Sequence, residues 1–227
     1  MPIALITGAS RGLGAALARR LAGDGWKLVL DARGGGALDD LVKGLPGPGE
    51  AVAIAGDVAD AGHRAELIAA CERLGGLDAL VNNASILGPS PQPTLAEYPA
   101  EVLRQVYEVN VVAPIALAAA ALPLLRTSNG RVVNVTSDAG VEAYEGWGGY
   151  GSSKAALEHA SRVMAEEEKA VRVYAVDPGD MRTQMQQEAF PDEDISDRPL
   201  PEDSVPGFVA LLTGDHPSGR YSARELA

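Results

Sequence analysis

Short runs of β-branched and aliphatic residues alternate along the chain with longer stretches in which apolar side chains recur every three to four positions. The runs Ile3–Thr7, Leu28–Leu30, Ala51–Ala55, Ala79–Val81, Arg131–Val135 and Val171–Val176 read as strands. Because these runs are apolar at successive positions, they suit a parallel sheet buried on both faces. Helices are predicted at about Gly12–Ala22, Leu38–Lys43, Ala61–Leu74, Ala96–Tyr107, Val111–Leu125 and Tyr150–Lys169, with Gly34-Gly35-Gly36 a loop. Repeated strand–helix alternation predicts one α/β domain over residues 1–227, a doubly wound parallel sheet with helices on both faces. In such sheets ligands lie outside the carboxyl ends of the strands, so the loops that follow the strands are where chemistry is expected.

The first of those loops is Thr7-Gly8-Ala9-Ser10-Arg11-Gly12-Leu13-Gly14. Its glycines allow close backbone approach, and the helix it opens offers free N–H groups and a favourable dipole to a pyrophosphate. The spacing is Gly-x-x-x-Gly-x-Gly rather than Gly-x-Gly-x-x-Gly, and a glycine-rich stretch can also be a plain turn. The second strand ends near Asp31-Ala32-Arg33, where dinucleotide folds choose between a ribose hydroxyl and a 2′-phosphate. Arg33 and Arg11 together can cradle a phosphate, which favours NADP(H) over NAD(H). Asp31 either accepts the ribose hydroxyls or turns into the sheet.

Tyr150-Gly-Ser-Ser-Lys154 puts a phenol and an ammonium one helical turn apart. A tyrosine is a poor acid near neutrality, with a pKa of about 10, and a fixed cation within reach favours its ionised form. Alone, the pair can equally be two solvated side chains. Ser137 precedes it by one strand-to-helix connection, and because neighbouring strand residues face opposite ways, only one of Thr136 and Ser137 can face a ligand.

Taken in order, the glycine loop, Asn82-Asn83-Ala84-Ser85, Asn110, Ser137 and Tyr150-x-x-x-Lys154 resemble the short-chain dehydrogenase/reductase family from about residue 3 to residue 183. The resemblance implies a Rossmann-like fold and a nicotinamide cofactor. It implies that Tyr150 is the acid for a carbonyl oxygen and that Lys154 binds the nicotinamide ribose and favours the tyrosinate. Ser137 would hold the carbonyl, and Asn110 would anchor a water leading from Lys154, or satisfy backbone groups at a helix kink. Gly8, Ser10, Arg11, Gly12, Leu13 and Gly14 match the pyrophosphate loop, with Asn83 and Ala84 beside it. Asp57 and Val58 resemble the adenine contact, although Asp57 also suits a helix N-cap. Pro178, Gly179 and Thr183 look like the element beside the nicotinamide, with backbone at Met181 for the carboxamide. Ser85 stands where the family usually has glycine.

Composition narrows the partners. Nineteen basic against thirty-one acidic residues give a formal charge of −12, and no basic block rescues binding to nucleic acid or an anionic membrane. Cys71 is the only cysteine, and His63, His159 and His216 lie far apart, so a disulfide and a metal site are not expected and a reducing cytoplasm fits. The amino terminus lacks the features of a secretory leader, and the longest apolar run, Val111 to Leu125, is shorter than the ~20 residues that cross a bilayer.

The proline- and acid-rich segment 184–204 is the expected substrate lid, its acids facing water or disfavouring anionic substrates. The stretches Ile86–Pro93 and Val141–Gly149, with Tyr144 and Trp147, either line the pocket or pack. After Ser218-Gly219-Arg220-Tyr221 the chain stops at Ala227, before the family's usual final strand and glycine pair, so a homodimer is expected rather than a tetramer. The leading reading is an NADPH-dependent reductase of a small-molecule ketone or aldehyde, reversibly oxidising the secondary alcohol. An NAD-dependent alcohol dehydrogenase of the same fold, a non-catalytic dinucleotide sensor and a sugar-nucleotide epimerase or dehydratase are the rivals; the intact Ser137, Tyr150 and Lys154 argue against the sensor, and the chain length against the epimerase.

Overall fold

The computed structural model describes residues 1–47 and 49–226. In chain order the elements are β1 (Ile3–Ile6), α1 (Gly12–Gly23), β2 (Lys27–Ala32), α2 (Gly35–Lys43), β3 (Ala51–Ala55), α3 (Ala61–Leu74) and β4 (Ala79–Asn82). There follow α4 (Ala100–Tyr107), a π turn (Glu108–Val112), α5 (Ala113–Ser128), β5 (Arg131–Val135), α6 (Gly148–Glu167) and β6 (Arg172–Asp177). The chain closes with α7 (Gln184–Ala189), α8 (Val205–Thr213) and β7 (Gly219–Ser222). The strands form one parallel sheet in the order β3-β2-β1-β4-β5-β6-β7. Strand order reverses between β1 and β4, with Ile6 paired to Leu30 on one side and Val81 on the other, so the switch-point crevice opens at their carboxyl ends.

Period-two alternation divides the core. Ala4 and Ile6 face a layer built with Leu17, Leu21, Leu38, Phe208 and Leu211 from α1, α2 and α8. Ile3 and Leu5 face the other layer, with Leu67 and Cys71 of α3 and Leu117, Ala121 and Leu125 of α5. Both faces of β1, β2, β4, β5 and β6 are therefore largely dry, which is why these strands read as apolar runs.

Four expectations are revised. Gly219–Ser222 forms a seventh strand beside β6, with Tyr174 opposite Gly219 and Asp177 opposite Ser222, so the final strand is short rather than missing. Gly35 and Gly36 are the first turn of α2, not loop. The helix before Asn110 starts at Ala100, after a short 3-10 turn at Leu95–Glu97. The run from Val111 is the end of a 29-residue helical segment, Ala100–Ser128, long and apolar enough by itself to span a bilayer. Its apolar face is instead committed to the sheet through Ala113, Leu117, Ala118, Ala121 and Leu125.

Candidate active site

The loop between β1 and α1 has the geometry that an anion needs. Gly8 and Gly12 adopt φ of +63° and +55°, the left-handed region that side chains other than glycine rarely enter. A Cβ on Gly14 would stand 2.5 Å from the Gly8 carbonyl oxygen. Helix α1 starts with Arg11 in extended backbone, no side-chain cap and no acid in its first turn, so its leading N–H groups are left for a ligand. Loop shape is held from behind: the Asn83 amide donates to the Thr7 and Gly8 carbonyls at 2.9 and 3.1 Å. The Thr7 hydroxyl accepts from the N–H groups of Asn83 and Ala84, each at 3.0 Å. Ser10 is half-buried and Leu13 packs into the core. These features fit a dinucleotide pyrophosphate.

Asp31 turns inward. Its Oδ1 lies 2.6 Å from Nε2 of His63, and its Oδ2 accepts from the Gly8 N–H at 3.4 Å. Burial raises the Asp31 carboxyl above its ordinary range, while the bond to His63 and the charge it brings work in the opposite sense. The carboxylate at the end of β2 is thereby used to support the loop rather than offered to ribose hydroxyls. Arg33 is exposed just after β2, and the Arg11 guanidinium donates to the side-chain oxygen of Gln184. Asp57 is exposed and accepts from the Ala59 N–H at 2.9 Å, whereas Asp60 caps α3 through the His63 N–H at 2.7 Å. The helix-cap alternative thus belongs to Asp60, and Asp57 stands free of it beside buried Val58.

The Tyr150–Lys154 pair forms on α6 as its spacing predicts. The ammonium lies 5.4 Å from the centre of the Tyr150 ring and donates to the Val135 carbonyl at 2.8 Å. Burial lowers the Lys154 ammonium to about 8, opposed by Glu158 one turn further along the helix. The expected tyrosinate is not what this arrangement favours: burial drives the Tyr150 phenol upward, the Ser85 hydroxyl counters it, and Asp177 and Asp138 add to the rise. A phenol held neutral is the form that can give a proton.

Asn110 occupies the π turn, a helical irregularity that recurs at functional sites. Its Oδ1 accepts from the Ile86 N–H at 2.9 Å and the Ser85 hydroxyl at 3.1 Å. Its Nδ2 donates to the Ile86 carbonyl at 2.9 Å and to Ser153 at 3.0 Å, and Ser153 donates to the Tyr150 carbonyl at 2.6 Å. The amide thereby satisfies the kink and braces α6 beneath the phenol. Ser137 donates to Asp138 at 2.9 Å and accepts from the Ala139 N–H at 3.2 Å, and a hydroxyl can rotate that proton to another acceptor. Thr136 points the other way, donating to buried Glu158 at 2.7 Å, as strand alternation requires.

Pro178 is buried, Gly179 has φ of +72°, and Thr183 caps α7 while lying within 3.4 Å of where a Gly12 side chain would begin. Met181 packs against the core layer containing α1. The start of segment 184–204 therefore borders the glycine loop. Its acids, Glu188, Asp192, Glu193, Asp194, Asp197, Glu202 and Asp203, are exposed. Trp147 lies edge-on to Tyr150 at 5.8 Å and against Phe190 at 5.8 Å, so it lines the site together with Leu87 and Met185. Tyr144 donates to Asp138 at 3.0 Å. The sequence alone does not single out Asp138 as a neighbour of Tyr150 or Glu158 as a neighbour of Lys154. Glu158 was findable, since it stands four residues after Lys154 on one helical face.

A family model described as short chain dehydrogenase matches residues 2–194. A benzil reductase of Saccharomyces cerevisiae, forming (S)-benzoin, is 34% identical over 195 residues, 82% of this chain and 74% of that protein. A diacetyl reductase of Staphylococcus epidermidis, forming (S)-acetoin, is 34% identical over 188 residues, 80% of this chain and 72% of that protein. Among solved structures, an alcohol dehydrogenase from the archaeon Thermococcus sibiricus, complexed with 5-hydroxy-NADP, superposes with a TM-score of 0.88. That match is 30% identical and covers 98% of this chain and 95% of the other. The first curated relatives are matched over 52% to 74% of their own lengths.

Proposed function

This chain belongs to the short-chain dehydrogenase family, and from that premise we propose that it is an NADPH-dependent oxidoreductase acting between a neutral carbonyl compound and its secondary alcohol. The observation that carries the reading is the buried Tyr150 phenol beside the Lys154 ammonium, braced by Asn110 through Ser153 and facing the crevice of the glycine loop. The pyrophosphate would rest on the N–H groups of 8–14, with Arg11 and Arg33 for a 2′-phosphate, Asp57 and Val58 toward the adenine, and Pro178, Gly179, Met181 and Thr183 toward the nicotinamide. When bound, the reduced nicotinamide supplies hydride. Tyr150 gives its proton to the carbonyl oxygen, Ser137 turns its hydroxyl to the same oxygen, and Lys154 holds positive charge nearby, so the charge developing on oxygen is met at once.

The aromatic and aliphatic wall of Leu87, Trp147, Met185 and Phe190 supports an uncharged substrate. Two relatives named for reducing diacetyl and benzil, both vicinal diketones, support the same class. In this reading residues 184–204 act as the lid of a single cofactor-binding unit. The lone cysteine, buried, supports a cytoplasmic setting, and exposed Val112 and Val163 on the α5 and α6 side support a homodimer. The acidic surface supports a small molecule rather than nucleic acid or membrane as partner. A panel of neutral, anionic and cationic carbonyls, followed by absorbance of NADPH and NADH in parallel, tests class and cofactor together. Turnover confined to anionic carbonyls, or faster with NADH, would overturn the reading.

A further inference from the structure

Arg220, on β7, engages two carboxylates at once. Its Nε donates to Glu158 Oε1 at 3.1 Å and its Nη2 to Asp177 Oδ2 at 3.2 Å. Each carboxylate has a second partner that leads into the site. Glu158 lies one turn beyond Lys154 on α6, its side chain 8% exposed, and also accepts the Thr136 hydroxyl. Asp177 ends β6 and accepts from the Gly179 N–H at 2.9 Å, which fixes the Pro178–Gly179 turn. Thus one guanidinium ties the acid behind the lysine to the acid that holds the turn, and it arrives on the strand that the sequence alone leaves out.

We propose that Arg220 is a positioning residue for the reaction, clamping Glu158 behind Lys154 and Asp177 beneath the Pro178–Gly179 turn while neutralising both carboxylates. Its meaning for turnover rests on the oxidoreductase reading, but the clamp is a property of the fold. The charged and titratable groups that act on the Tyr150–Lys154 pair are Glu158 from α6, Asp138 after β5 and Asp177 at the end of β6, with Arg220 of β7 bonded to Glu158 and Asp177. Glu158 already favours the charged lysine against the effect of burial, and Asp177 already disfavours the tyrosinate. Without the guanidinium both effects act at full strength, so Lys154 and Tyr150 keep their protons to higher pH. A role in packing alone would weaken the fold without moving either titration.

The chain has four lysines, Lys27, Lys43, Lys154 and Lys169, so ¹³Cε-lysine NMR resolves the Lys154 titration in the protein without cofactor, assigned by its loss in Lys154→Met. Arg220→Met is expected to move the Lys154 midpoint upward from about 8, by about one unit. Arg220→Lys keeps the charge and holds the midpoint near the wild-type value, and adding Glu158→Gln to Arg220→Met reverses the shift. An unmoved midpoint in folded Arg220→Met, or an equal shift in Arg220→Lys, overturns the proposal. If Arg220→Met fails to fold, Arg220→Gln, which keeps a polar side chain on β7 without the charge, decides: a raised Lys154 midpoint supports the clamp, and an unchanged one refutes it. NADPH consumption by the wild type, run beside the titrations, reports separately on the oxidoreductase reading.

Discussion

The Nε2 atom of His63 lies 2.6 Å from Oδ1 of Asp31, in a contact whose side chains are 6% and 2% exposed. The pair sits behind the glycine loop, and it decides how the end of β2 can meet a cofactor. A carboxylate committed to His63 and to the Gly8 N–H is not available to ribose hydroxyls. In the proposed function, selectivity then falls to Arg11 and Arg33.

Arg11→Ala combined with Arg33→Ala is therefore expected to weaken NADPH binding by about 10- to 100-fold, the loss of one or two charge-assisted hydrogen bonds. NADH binding should change far less. Fluorescence titration of both reduced cofactors checks this, and an equal loss for the two would mean that the arginines do not read the 2′-phosphate.

The glycine loop makes a steric prediction with an internal control. In Gly14→Ala the new methyl group would stand 2.5 Å from the Gly8 carbonyl and 2.7 Å from the Asn83 amide, so the loop must move. The expected outcome is a loss of about 1–3 kcal/mol in stability and near-complete loss of cofactor binding. Gly34→Ala adds a methyl group with nothing within 4 Å and should be close to neutral. Denaturant melts and cofactor titrations of the two variants should separate cleanly, and a neutral Gly14→Ala would contradict the packed loop.

Much of this was legible in the sequence, and what was not has identifiable causes. The strands were readable because both faces of Leu5–Ile6 or Val132–Val133 are dry, which removes the polar interruptions that blur a strand. Tyr150 and Lys154 were readable because helical spacing alone puts them together. Strand β7 was not: Gly-Arg-Tyr-Ser carries no apolar run, since its place is set by pairing with β6 and its side chains are half-exposed. The direction in which Tyr150 is shifted was also hidden. Proximity to a lysine argues for the phenolate, but burial, which depends on how α6 sits on the sheet, outweighs it. Asp31 was ambiguous because its partner, His63, is 32 residues away and only the parallel register of β2 and β3 brings it near.

Lys154 links stability to pH. Its native ammonium titrates near 8 against an ordinary 10.5, because burial penalises the charge. Below the lower value both folded and unfolded chains carry the proton, and the folded state bears the full penalty. Between about 8 and 10.5 the unfolded chain binds more protons, so this residue's contribution makes the protein more stable as pH rises, and above that window the penalty is gone. Lys154→Met should thus stabilise the protein at about pH 7 by roughly 2 kcal/mol, after about 1 kcal/mol is given back by the unpaired Val135 carbonyl. The advantage over wild type should shrink by about pH 10. Urea unfolding of both proteins across that range checks the sign. Carbonyl reduction by the wild type should fall as pH rises through about 8.

The proposed role of Tyr150 as the acid is tested by comparing NADPH consumption on a neutral diketone by the wild type and Tyr150→Phe, with NADPH affinity measured on the same samples. The variant keeps the ring against Trp147 and removes only the hydroxyl. NADPH should bind both proteins alike, while the turnover rate of the variant drops by about 100- to 10,000-fold. Undiminished turnover in Tyr150→Phe would show that Tyr150 is not the acid.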